Sequence, residues 1–171
     1  MKKRILLAFV LIMAFAINSV GVSADENQGE LLNEVVYSER TYYDEELDAM
    51  VYEKITGTPI DLRNISGSAH LRKTDTYTWS AGTVMTYYVE GDFTWDDDAD
   101  YISVSNARGN VYNVPSTVSI SNRVLDIEYG QYFFIFNKYV DVEFSFTATN
   151  MIGISQDFSV SIRVSQEGSV S

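Results

Sequence analysis

Three stretches of this chain alternate strictly between apolar and polar side chains. Met85, Tyr87, Val89, Gly91, Phe93 and Trp95 are separated one by one by Thr86, Tyr88, Glu90, Asp92 and Thr94. Val140, Val142, Phe144 and Phe146 alternate with Asp141, Glu143, Ser145 and Thr147, and Phe158, Val160, Ile162 and Val164 with Ser159, Ser161, Arg163 and Ser165. A period of two sorts residues onto the two faces of an extended strand, whereas a helix would scatter them around its axis. One dry and one wet face mark an antiparallel sheet covered on one side only. Turn residues punctuate the chain at Ser80-Ala81-Gly82, Asp96 to Asp100, Arg108-Gly109-Asn110, Tyr129-Gly130 and Gly153. This spacing predicts an all-β chain, an antiparallel β-sandwich of about seven to eight strands, with a closed barrel as the second architecture. Tyr132-Phe133-Phe134-Ile135-Phe136 lacks the alternation. It reads either as a central strand buried on both faces or as a place where something else docks.

Ahead of this body lies a three-part leader. Lys2-Lys3-Arg4 precedes an apolar run from Ile5 to Ile17, and Val22 and Ala24 stand before Asp25-Glu26. Basic start, apolar centre and small residues at the cut describe a secretory signal peptide, with cleavage expected between Ala24 and Asp25. As a helix rising about 1.5 Å per residue, the run reaches roughly 20 Å, short of a hydrocarbon core of about 30 Å. The expected product is secreted, with no stable membrane insertion after cleavage. No cysteine is present to form a disulfide or accept a lipid.

Charge narrows the partners. With 1–24 removed, nine basic residues face 24 acidic ones. A chain of this balance cannot replace the counterions of a nucleic acid, and it is not drawn to anionic lipid. The acidity concentrates in residues 25–61, with 11 acids against two bases. Residues 25–33 read as a disordered acidic arm. Residues 34–67 read as an acidic hairpin and connector, with Glu34 to Tyr37 and Ala49 to Tyr52 flanking Asp44 to Asp48. A helix over Asp44 to Ile55 is the rival, because Leu47, Val51 and Ile55 recur every fourth residue. The sandwich domain is expected over 68–166, with 167–171 as a tail.

Thr74-Asp75-Thr76-Tyr77-Thr78-Trp79, Tyr88 to Trp95, Phe146-Thr147-Ala148-Thr149-Asn150 and Phe158-Ser159-Val160-Ser161 resemble the strands of uncharacterised small secreted β-sandwich proteins of Gram-positive bacteria. The resemblance covers roughly residues 70–166. It implies a fold and an extracellular setting and carries no catalytic residue across.

Local chemistry is sparse. Asp96, Asp98 and Asp100 occupy alternate positions of a D-x-D-x-D loop, a spacing that can gather carboxylates on Ca²⁺. The helix-loop-helix form of that motif fails, because Tyr101 and Ala107 stand where Gly and Glu are needed. The competing reading is a solvated acidic turn. His70 is the only histidine, too few nitrogen ligands for zinc catalysis, and no serine sits in a nucleophile elbow. Trp79, Trp95, Tyr77, Tyr88 and Tyr101 could stack on sugars if they lie on an exposed face, or could be core and cross-strand pairs. The alternation points Trp79 and Trp95 inward. Asn64-Ile65-Ser66 matches a glycosylation sequon. The chain is therefore expected to be a non-enzymatic interaction module binding a protein or glycan at the cell surface. A carbohydrate-binding module and a small secreted antagonist of bacteriocin type are the alternatives, and no cofactor beyond Ca²⁺ is implied.

Overall fold

The computed structural model describes residues 34–60, 66–80, 82–131 and 138–171, which form eight strands and no helix. β1 (Val35–Asp44), β2 (Ala49–Gly57), β3 (Ser66–Trp79), β4 (Val84–Asp96) and β5 (Tyr101–Tyr112) form one antiparallel sheet in chain order. β6 (Val118–Gln131), β7 (Lys138–Asn150) and β8 (Ser155–Ser165) form a second. The sheets pack face to face, with β7 and β8 lying across from β3, β4 and β5. The chain is the all-β antiparallel sandwich that its alternation predicts. The leader, the arm 25–33, the run Tyr132 to Phe136 and the first two sequon residues lie outside the described residues.

Each alternating stretch buries the face it should. Tyr87, Val89 and Phe93 of β4 meet Val142, Phe144 and Phe146 of β7 and Phe158, Val160 and Ile162 of β8 in one core, each at most 7% exposed. Aromatic rings join the sheets: Phe146 lies 5.0 Å edge-on from Tyr87 and 5.4 Å, stacked, from Phe158. Such pairs add to the area they bury. On β4 the expected wet face is not uniformly wet, since Thr86 and Glu90 are 4% and 0% exposed. Neighbouring outer-face side chains cover Glu90, and Arg72 and Arg108 both bond it.

The acidic connector is a hairpin turn and not a helix. Asp44 Oδ1 accepts the Glu46 and Leu47 amides at 3.0 and 3.1 Å, and Asp48 takes the left-handed conformation at φ 50°. The hairpin is part of the larger sheet, because β2 pairs along its whole length with β3.

Two expected turns are strand interiors. Arg108-Gly109-Asn110 lies inside β5, and Tyr129-Gly130 inside β6. Their glycines make room for rings: a Cβ on Gly109 would sit 2.2 Å from Phe144 Cγ, and one on Gly130 would sit 2.3 Å from the Tyr139 ring. Gly109→Ala should therefore cost about 2 kcal/mol through overpacking and lower the thermal midpoint. An unchanged melt would show that Phe144 can swing away.

Bulges bend β5 and β6. The pairing slips between Glu90 and Asp92 on β4 and between Ser121 and Val124 on β6. Asn106 and Asn122 sit at these slips with φ of 52° and 50°, a conformation asparagine tolerates better than most residues. Each extra residue switches which parity faces the core. Ile120 pairs with buried Ala148 before the bulge, and Leu125 with buried Phe144 after it.

Candidate binding surface

The two sheets do not match in width, and the mismatch leaves β6 overhanging. β5 lies across from β7, so β6 extends past the last strand of the first sheet. Leu125, Ile127 and Tyr129 pair with the buried Phe144, Val142 and Val140, which places them on the core-facing side of their sheet. They are nevertheless 39%, 40% and 57% exposed. The core thus runs out onto an uncovered row of three large apolar side chains.

The backbone of β6 is open on the same side. β6 pairs with β7 along one edge, and no described strand pairs along the other. The far edge of that sheet is treated differently. The chain after β8 folds back on it, Val170 bridging Val164 while Ser171 and Arg163 exchange backbone bonds of 2.9 and 3.0 Å. Proteins commonly shield such edges because unpaired amides and carbonyls template pairing with another chain.

The outer face of the overhang is acidic. Asp126 stands opposite Glu143, and Glu128 opposite Asp141. Asp141 is answered by Arg163, whose Nε donates at 3.0 Å. Like charges directly across a ladder are unfavourable.

The residues singled out from sequence go elsewhere. Asp96, Asp98 and Asp100 lie at the β4–β5 turn. Asp96 Oδ1 accepts the Ala99 amide at 2.9 Å, Asp100 Oδ2 pairs with Lys138 Nζ at 2.6 Å, and Asp98 is exposed. Asp97, between them, accepts Gln166 Nε2 at 2.8 Å. Among the described residues no three His, Asp or Glu gather as a metal set. Trp95 is 2% exposed, and Trp79 packs half-buried on the core beside a groove with Leu47 and Pro115. Tyr77 is core as well. Tyr88 and Tyr112 pair on the outer face of the first sheet at 6.0 Å, with the Arg72 guanidinium 4.6 Å over Tyr88. Tyr101 is exposed and donates to Ser103 Oγ at 2.8 Å.

His70 belongs to an outer-face charge network. Its Nδ1 lies 2.7 Å from Asp92 Oδ1, and its Nε2 lies 3.7 Å from Glu90. Asn106 donates to Asp92 at 2.6 Å. Burial pushes the Glu90 carboxyl up, but the hydrogen bonds and charges of Arg72 and Arg108 outweigh it and hold the group below its ordinary value. Hydrogen bonds from Asn106 and then His70 hold Asp92 down likewise.

A second polar cluster sits on the inner face of the first sheet, beside the core. Glu53 pairs with Arg40, and Lys73 Nζ lies 3.4 Å from it. These three, with Ser38 and Val170, line a groove of about 400 Å³. Asp75, opposite Glu53, is 5% exposed and its Oδ1 has no partner. Burial pushes its carboxyl up to about 6, against the weaker pull of Lys73 and Arg40.

The β6 row was missed in the sequence because alternation does not show whether a facing strand covers it. The signal is present, since Leu125, Ile127 and Tyr129 alternate with Asp126 and Glu128. No family model matches the chain, and no curated protein or solved structure shows significant similarity to it.

Proposed function

We propose that the chain is a secreted, non-catalytic interaction module that holds a protein partner at or outside the cell surface through the open edge of β6. The observation that carries this reading is the uncovered row Leu125, Ile127 and Tyr129, continuous with the core and beside an unpaired backbone edge. An added strand would complete both the ladder and the apolar layer, the arrangement by which sheet edges recognise extended segments. The leader of residues 2–24 supports export.

The test is retention of the labelled, exported protein on cells of the source organism. Leu125→Lys/Ile127→Lys should reduce retention at least about tenfold, the equivalent of ~1.4 kcal/mol. A melt of the variant near that of the parent separates lost binding from lost folding, since the two side chains are 39% and 40% exposed. Ile152→Ser, at the β7–β8 turn where Ile152 is 80% exposed, should bind like the parent. Equal retention of parent and β6 variant would overturn the reading.

A glycan-binding reading rests on a different observation, the Tyr88 and Tyr112 pair on the outer face of the first sheet. Under it, Tyr112→Ala and soluble cell-wall glycan would each abolish retention, and the β6 variant would leave it intact.

A further inference from the structure

We infer that the segment β6 accepts is an extended strand of another protein in which apolar side chains alternate with basic ones. The inference rests on the proposed role of β6 as an acceptor edge and concerns the chemistry of what it accepts.

An antiparallel strand laid along Val124–Gly130 places its residues in the same two-faced order as β6 itself. Side chains on its inner face would extend the row Leu125, Ile127 and Tyr129 and continue the layer of Val140, Val142 and Phe144. Those on its outer face would stand beside Asp126 and Glu128, which already face Glu143 and Asp141 across the ladder. Arg163 answers Asp141 on β8, two strands away from the open edge. Lysine or arginine at the outer positions would oppose the carboxylates directly, the favourable form of a cross-strand pair. Glutamate or aspartate there would extend a run of like charge across three strands.

The same arithmetic disfavours a second copy of this chain. Pairing two β6 strands so that their apolar rows coincide centres the contact on Ile127, with Leu125 against Tyr129. Every such pair then sets Asp126 of one copy against Glu128 of the other, twice per interface. The chain's own segment 25–33 fits no better, since it holds Asp25, Glu26 and Glu30 and no basic residue.

The experiment uses synthetic peptides alternating isoleucine with lysine, their counterparts with glutamate for lysine, and a scrambled lysine peptide of the same composition. Affinity is read by fluorescence anisotropy, and location by protection of the β6 amides from hydrogen exchange. The alternating lysine peptide should bind at least about tenfold tighter than the glutamate peptide and protect Val124–Gly130. Asp126→Lys/Glu128→Lys should reverse that preference, and Leu125→Lys/Ile127→Lys should abolish binding. Equal binding of both alternating peptides would overturn the charge inference and leave the acceptor edge standing. No protection of β6 by either peptide would overturn the acceptor edge itself. Scrambled lysine peptide binding as well as the alternating one would reduce the effect to general attraction to an acidic protein. Concentration-dependent dimerisation that protects β6 would make a second copy the occupant and overturn the inference.

Discussion

Glu90→Ala is expected to lower the unfolding free energy by about 2–3 kcal/mol, because it removes a buried carboxylate that two partly exposed arginines bond. Glu90 is 0% exposed although it lies on the outer face of the first sheet. Arg72 and Arg108 bond its two oxygens from either side, and His70 approaches at 3.7 Å. Removing the carboxylate strands Arg72, itself 30% exposed, and opens a void beneath the guanidinium groups. Urea unfolding at pH 7 measures the loss. A cost under about 1 kcal/mol, the range of an exposed pair, would show that the network is solvated in solution. The pH dependence has a definite sign. Glu90 and Asp92 are held below their ordinary values, so the native state binds fewer protons than the unfolded one. Their contribution is complete above the ordinary carboxylate range and is lost as pH falls through the folded-state values. In Glu90→Ala the acid limb of the stability profile should flatten.

Asp75→Asn should act in the opposite direction and stabilise the protein by up to about 3 kcal/mol at pH 8. This follows from a rise to about 6 from an ordinary 3.8 at about 1.4 kcal/mol per pH unit. Asp75 is 5% exposed on the inner face, directly opposite Glu53 and next to Tyr87, with Oδ1 unpartnered. Burial dominates, so between about pH 4 and 6 the native state holds a proton that the unfolded chain has released, and at pH 8 it carries a buried charge. The group's favourable contribution is therefore fully present below pH 4 and lost as pH rises through 6. Asparagine keeps the shape and removes the charge. The gain in melting midpoint should be several degrees at pH 8 and should vanish near pH 4. An equal gain at both pH values would locate the effect in packing, and no gain at pH 8 would mean that Lys73 and Arg40 already compensate the charge. Asp75 and Glu90 thus differ because two arginines bond one carboxylate and none bonds the other.

The strands that carry an uninterrupted period of two were legible directly. β4, β7 and β8 bury the residues their alternation nominates, from Met85 to Trp95, Val140 to Phe146 and Phe158 to Val164. β5 and β6 were not legible in the same way. Asn106 and Asn122 each insert a residue, so the core-facing set changes from even to odd numbers partway along the strand. Gly109 and Gly130 then resemble turn signals, although each lies beneath a ring from β7. The candidate site was illegible for a related reason. A row such as Leu125, Ile127 and Tyr129 reads as core in any sequence, and its exposure depends on whether a facing strand exists. Asp96, Asp98 and Asp100 show the converse. Their spacing is that of a cation loop, and the fold adds partners that the spacing does not show, the Ala99 amide for Asp96 and Lys138 for Asp100.

The sequence by itself determined the all-β class, the faces of the regular strands and the excess of acidic over basic residues. These are local properties, set by side-chain periodicity and charge. Only the tertiary structure decided that five strands face three, that Glu90 is enclosed and Asp75 unpaired, and that β6 projects beyond its cover. Those outcomes depend on which strand ends opposite which, and that is a property of sheet width and register. No single strand carries it in its own residues.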